Sequence, residues 1–265
     1  ATIPDILPDE EDYTNALSLS RLAYDMESLI SPMLAATLLG FLPSNALFGG
    51  TMIGFLISAA LVVSVALPAI TASQRRSIYE RTTRGLRIYL ATPRLKALLA
   101  INMAVAAAGA IVFVNTVVYV QHQLGLGERQ TAIALAAFGF GSMLVAVSLP
   151  SILRNRPDRP VMLAGAAVLA VSAAMVSTVT AYSGLLALWF VIGVGYAAAQ
   201  VPSGRLLRRS AHAEDRPALF AAQFALSHAC WLITYPVAGI LGVRIGLPIT
   251  AIGLAAIAAV AAVTA

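Results

Sequence analysis

Residues 73–96 read SQRRSIYERTTRGLRIYLATPRLK, the longest strongly polar interval in a chain that is otherwise mostly hydrophobic. The stretch carries seven cations, Arg75, Arg76, Arg81, Arg84, Arg87, Arg94 and Lys96, against one acid, Glu80. An arginine run suits a nucleic-acid surface or the cytoplasmic loop of a polytopic membrane protein, and the flanking sequence separates the two. On both sides lie apolar segments long enough to cross a bilayer. Composition agrees: of 265 residues, 59% are hydrophobic and 11% charged, with a mean hydropathy of +0.85, too apolar for a soluble globular domain. The stretch is therefore expected to be a loop between spans, and nucleic acid is not an expected partner.

A spanning helix needs about 20 mostly apolar residues to cross ~30 Å of hydrocarbon. Such windows fall at 18–42, 46–70, 96–121, 130–152, 161–182, 184–201, 217–242 and 247–265, so the expected fold is all-α and polytopic with eight transmembrane helices. The connections alternate in charge. Those at 42–45, 123–129, 182–183 and 243–246 hold only two cations, Arg129 and Arg244. The others hold fourteen cations: the seven above, then Arg154, Arg156 and Arg159, then Arg205, Arg208, Arg209 and Arg216. By the positive-inside rule the fourteen face the cytoplasm, and an odd number of spans would break the alternation. The acidic start, with Asp5, Asp9, Glu10, Glu11 and Asp12, falls on the same side, which the rule permits because acids contribute little. The net charge of +5 is therefore judged loop by loop, and the arginines of the basic stretch are expected near anionic headgroups.

The basic stretch leaves two spans before it and six after it. The expected division is 1–71, an acidic cytoplasmic start and the last two helices of an N-terminal half; 72–95, a basic central loop; and 96–265, a six-helix C-terminal half. The chain starts at Ala1 without an initiator Met and stops inside a hydrophobic run, and it reads as part of a longer protein. A long basic loop between halves built of three-helix repeats is a pattern of secondary transporters. The loop itself is expected to be partly helical at the membrane surface, with Ile78, Tyr79, Leu86 and Tyr89 touching the interface.

At the level of residues, IPDILPDEEDYTNALSLSRLAYDMESLISPMLAATLL at 3–39 and RIYLATPRLKALLAINMAVAAAGAIVFVNTVVYVQHQLGLGERQTAIALAAFGFGSM at 87–143 resemble the major facilitator superfamily, and within it the twelve-helix drug and small-molecule exporters. The likeness spans the whole chain and corresponds to helices five to twelve. The exporters' G-x-x-x-G-P-x-x-G-G motif falls on Glu27, Ser31, Pro32, Ala35 and Ala36, where the proline matches and small residues stand for three glycines. The family's D-R-x-G-R-[RK] loop falls on Asn155, Arg156, Asp158 and Arg159, where both arginines match, Asn155 replaces the acid and Asp158 the glycine. The resemblance implies proton-coupled export of a drug-like or small organic solute by alternating access in a bacterial inner membrane. The expected partners are then the lipid bilayer, a small-molecule substrate and protons, with the protein acting as a monomer. Export of a metal cation or siderophore, or a non-transporting receptor or remnant with the same fold, are the alternatives.

No H-E-x-x-H, P-loop or G-x-S-x-G pattern occurs, and the three histidines, His122, His212 and His228, are scattered, so neither an enzyme, a cofactor nor a metal site is expected. Polar residues instead concentrate on certain spans, where they face a bundle interior or wet cavity. Asn115, Tyr119 and His122 share one helical face; Trp189, Gly193, Tyr196 and Gln200 share another. Gln223, Ser227, Trp231 and Thr234 share a third, with His228 and Tyr235 adjacent. These faces make Asn115, Tyr119, Tyr196, Gln200, Gln223, Ser227, Trp231 and Tyr235 candidates for lining a substrate cavity. The other reading is ordinary packing, amides bridging helices and aromatic anchors, and Trp189, near a span end, reads as an anchor. Three groups are candidates for proton coupling. Asp25 has Arg21 four residues away as an available partner, while Glu27 has none nearby. His228, near the middle of its span, suits a proton relay or a neutral hydrogen bond between helices.

Overall fold

The computed structural model describes residues 7, 9–39, 41–64 and 78–265, without the side chains of 28–37, 39, 44, 78–82 and 213. Every regular element among them is a helix: α1 (Glu10–Leu39), α2 (Ser44–Ser64), α3 (Ile78–Ala91), α4 (Pro93–Val117), α5 (Glu128–Asn155), α6 (Asp158–Met175), α7 (Tyr182–Gln200), α8 (Ser203–Arg209), α9 (Arg216–Arg244) and α10 (Leu247–Thr264). The boundaries follow backbone chemistry. Proline occupies the first turn of α4, α9 and α10, where its missing N–H leaves no bond unmade. Gly125 and Gly246 take the left-handed conformation between the long helices, with φ of 65° and 87°. A π-helical stretch, Val118–Gln123, prolongs α4.

Seven helices among the described residues are long and apolar enough to cross a membrane. The remaining expected span lies in α1, whose 30 residues reach about 45 Å at 1.5 Å per residue but include Glu10, Glu11, Asp12, Arg21, Asp25 and Glu27. The protein is an all-α, multi-pass integral membrane protein. One expected boundary moves: α6 ends in a 3-10 turn at Val176–Thr178, and Tyr182 instead opens α7, its hydroxyl donating to the Gln130 carbonyl at 2.8 Å.

α7 lies between α5 and α6, and glycines on opposite faces let both neighbours approach. A Cβ on Gly193 would collide with the Phe138 carbonyl of α5, and one on Gly165 of α6 would stand 2.7 Å from the Gly195 carbonyl. Trp189 is fully buried in this packing, its indole Nε1 donating to Thr116 Oγ1 of α4 at 2.8 Å. Its expected role as an interfacial anchor is thereby corrected: the neighbouring helix offers the indole a partner that the bilayer surface would otherwise supply. α4, rich in buried alanine, runs against α6, α7, α9 and α10.

Residues 65–77, the end of the second expected span and the start of the basic region with Arg75 and Arg76, fall outside the described residues, as do the side chains of Ile78, Tyr79 and Arg81. Ile78–Ala91 forms α3, which docks on α9, and Arg94 and Lys96 lie in the first turn of α4. Gly85 meets the Ala218 backbone so closely that a Cβ would collide with it, and Arg84 pairs with Asp215 at 2.6 Å. Tyr89, expected at the membrane interface, is instead fully buried, with its hydroxyl 2.5 Å from Gln223 Oε1. Burial pushes that phenol well above its ordinary range, so it stays a neutral donor.

Candidate functional site

Arg21 and Asp25 sit one turn apart on α1 and face α5. Arg21 Nη2 lies 2.6 Å from Asp25 Oδ1, and its Nε lies 3.1 Å from Oδ2. Ser142, midway along α5, completes the cluster. Its Oγ donates to Asp25 Oδ2 at 2.5 Å and lies 3.1 Å from Arg21 Nη2. Asp25 is 2% exposed and Ser142 is fully buried. Charges removed from water in this way need a full set of partners, and here a bidentate guanidinium and a hydroxyl supply them.

Above the pair stands an aromatic group. The Arg21 guanidinium lies 4.6 Å from the ring centre of Tyr196 on α7 and 5.2 Å from that of Tyr24, a cation–π arrangement. Tyr196 packs edge-on against Phe138 of α5, with centroids 5.4 Å apart, and lies 6.4 Å from Trp231 of α9. Trp231 continues to Tyr235 at 5.1 Å and to Phe113 of α4 at 6.0 Å. Helices α1, α5 and α7 thus meet at one buried charge pair, and α4 and α9 join them through Phe113 and Trp231.

The structure brings Asp25, Tyr196, Trp231 and Tyr235 together and holds the other expected residues elsewhere. Glu27, two positions on from Asp25, is exposed on the far side of α1. His228 is exposed too, with Nδ1 2.7 Å from the Phe224 carbonyl of its own helix and its ring 3.9 Å from that of Phe224. Asn115 donates to the Ala238 carbonyl at 3.2 Å and so ties α4 to α9. Tyr119 points to the end of α6, where its hydroxyl bonds the Val179 carbonyl. Gln200 reaches Asn102 at 3.4 Å, Gln223 holds Tyr89, and Ser227 bonds the Phe224 carbonyl. In the motif on α1, the side chains of Ser31, Pro32, Ala35 and Ala36 lie outside the described residues. Sequence reasoning missed Ser142, Phe113 and Phe138. Their helices were recognised, but nothing local marks a serine or phenylalanine as the partner of a residue on another helix.

A second charged cluster closes the end that carries the basic loops. Asp158, at the start of α6, lies 2.9 Å from Arg209 Nη1 and 3.2 Å from Arg205 Nε, the latter a charge contact without hydrogen-bond alignment. Glu10 of α1 pairs with Arg205 Nη2 at 2.7 Å and also with Arg209. Glu11 pairs with Arg154, Arg205 Nη1 donates to Thr14 Oγ1 at 3.2 Å, and Tyr13 donates to the Gly204 carbonyl at 3.3 Å. Burial pushes the Tyr13 phenol up, against the opposing pull of Arg208. Of the loop residues resembling the family pattern, Asp158 is the buried one; Asn155, Arg156 and Arg159 are exposed. Among the described residues no group of three or more His, Cys, Asp or Glu could hold a metal ion.

No curated protein matches the chain. Its membrane-spanning helices agree with the family whose model matches it: the Major Facilitator Superfamily matches residues 98–265, from the second turn of α4 through α10, and the chain belongs to that family of membrane transporters.

Proposed function

We propose that the protein is a secondary active exporter of small, drug-like organic solutes, driven by proton exchange at Asp25. The observation that carries this reading is the Arg21–Asp25–Ser142 cluster, buried where α1 meets α5. A proton arriving on Asp25 cancels its charge, weakens the pair with Arg21 and occupies an oxygen that Ser142 now bonds. Protonation therefore loosens α1 from α5, and loss of the proton restores the latch. That couples one site's charge to the separation of two helix groups, as alternating access about a midplane site requires. The clasp of Glu10, Asp158, Arg205 and Arg209 must break for the basic end to open. Trp231 and Tyr235, next to the buried Tyr196, offer ring faces near the charge pair to a flat solute. The outward direction rests on the resemblance to exporters. Glu27 and His228, on exposed faces, are assigned no part in coupling.

In proteoliposomes of the full-length protein, ethidium transport driven by an imposed pH gradient should stop when a protonophore collapses it. Asp25→Asn should lower the rate by about tenfold or more, equivalent to ~1.4 kcal/mol of barrier, while Glu27→Gln and His228→Asn stay near wild type. Transport undiminished after collapse of the gradient overturns proton coupling; undiminished transport by Asp25→Asn removes that residue from it.

A further inference from the structure

Two hollows open at the basic end, apart from the Arg21–Asp25 cluster. The first is an almost wholly apolar groove of about 720 Å³ between α4, α9 and α10, with Leu99, Met103, Leu226, Ile233, Ile257 and Val260 in its walls and Lys96 at one end. The second is a basin of about 890 Å³ that shares Lys96, Ala100 and Thr264 with the groove and adds Arg94, Asp158, Arg159 and Arg209. The Asp158 carboxylate is engaged by Arg209 and Arg205, so Arg94, Lys96 and Arg159 leave the basin positively charged. None of these three is ion-paired among the described residues; Arg159 Nη2 reaches only the Ala265 carbonyl, at 3.4 Å. The groove runs from Lys96 to Met103 on α4 and from Thr264 to Ala256 on α10, about 10–12 Å at 1.5 Å per residue. That length fits within one leaflet of a hydrocarbon core ~30 Å thick.

We propose that groove and basin together bind one anionic phospholipid from the leaflet at the basic end, with its phosphate against Arg94, Lys96 and Arg159 and an acyl chain between α4, α9 and α10. The groove alone selects nothing, because a tail leaving other tails gains no hydrophobic free energy. Selection comes from the headgroup, by roughly fivefold for each Lys or Arg near it. A zwitterionic lipid carries the same phosphate with a compensating ammonium and loses that advantage. The apolar groove beside the basin makes the ligand a lipid rather than a free phosphate.

The test is native mass spectrometry of the purified full-length protein equilibrated with equimolar phosphatidylglycerol and phosphatidylcholine of matched chains. One phosphatidylglycerol is expected to be retained about tenfold or more over phosphatidylcholine. Arg94→Gln with Lys96→Gln, both at exposed positions, should cut that preference by about fivefold or more, leaving only the share of Arg159, and Ala256→Phe, which fills the groove, should reduce retention with the charges intact. Millimolar glycerol phosphate should not displace the lipid. Equal retention of the two lipids, an unchanged preference in the double variant, unchanged retention in Ala256→Phe, or displacement by glycerol phosphate would each overturn the proposal.

Discussion

Asp25 has Arg21 one helical turn before it and Ser142 across the interface, and what its loss does depends on how little water reaches the three. On an exposed helix an i, i+4 pair contributes about 0.3–0.5 kcal/mol. Buried, the same pair behaves differently, because removing one member strands the other's charge at about 3–5 kcal/mol. Asp25→Asn and Arg21→Met are therefore each expected to lower the unfolding free energy by about that amount. The double variant should lose less than the sum by more than ~1 kcal/mol, read from denaturation in one detergent. Additive losses would mean that the two side chains do not interact. The pairing itself was legible from spacing alone. Ser142 was not, since it lies 117 residues further along and its position depends on how α1 and α5 are rotated about their axes.

Between helices, contact distance decides, and α7 shows why. Gly193 faces the backbone of α5, so an added methyl has no flexible side chain to displace. Gly193→Ala should lower stability by about 1–3 kcal/mol through overpacking. Gly49→Ala on α2, where a Cβ meets nothing within 4 Å, should leave the midpoint unchanged or slightly raised. Thermal midpoints of the two variants measure the contrast, and equal shifts would contradict the close α5–α7 approach. The glycines were visible in the sequence, but which helix each one admits was not. The same holds for Trp189 and Tyr89, whose amphipathic rings suit an interface until a neighbouring helix offers their polar atoms Thr116 and Gln223.

Across the whole molecule, the clasp at the basic end joins the acidic start of α1 to α6 and α8. Its members differ in weight: Glu11–Arg154 is more than half exposed and contributes little, whereas Asp158 is 7% exposed and holds two arginines. Asp158→Asn is expected to speed amide hydrogen exchange in the first two turns of α1 by about tenfold, while Glu11→Gln leaves it nearly unchanged. Identical exchange in the two variants would place the closure elsewhere. The sequence by itself determined the all-α membrane class, most span positions and the family, because transfer of a segment into hydrocarbon and the charge of a loop depend on local composition. Helical spacing narrowed the candidate residues to faces. Only the tertiary structure decided which faces meet, placing Tyr196 over Arg21 with Trp231 and then Tyr235 packed beyond it, while sending Tyr119, Gln200 and Gln223 to bridge other helices. The reason is physical: each helix's rotation and depth are set by packing against partners distant in the chain, and a periodicity carries no information about which partner that will be.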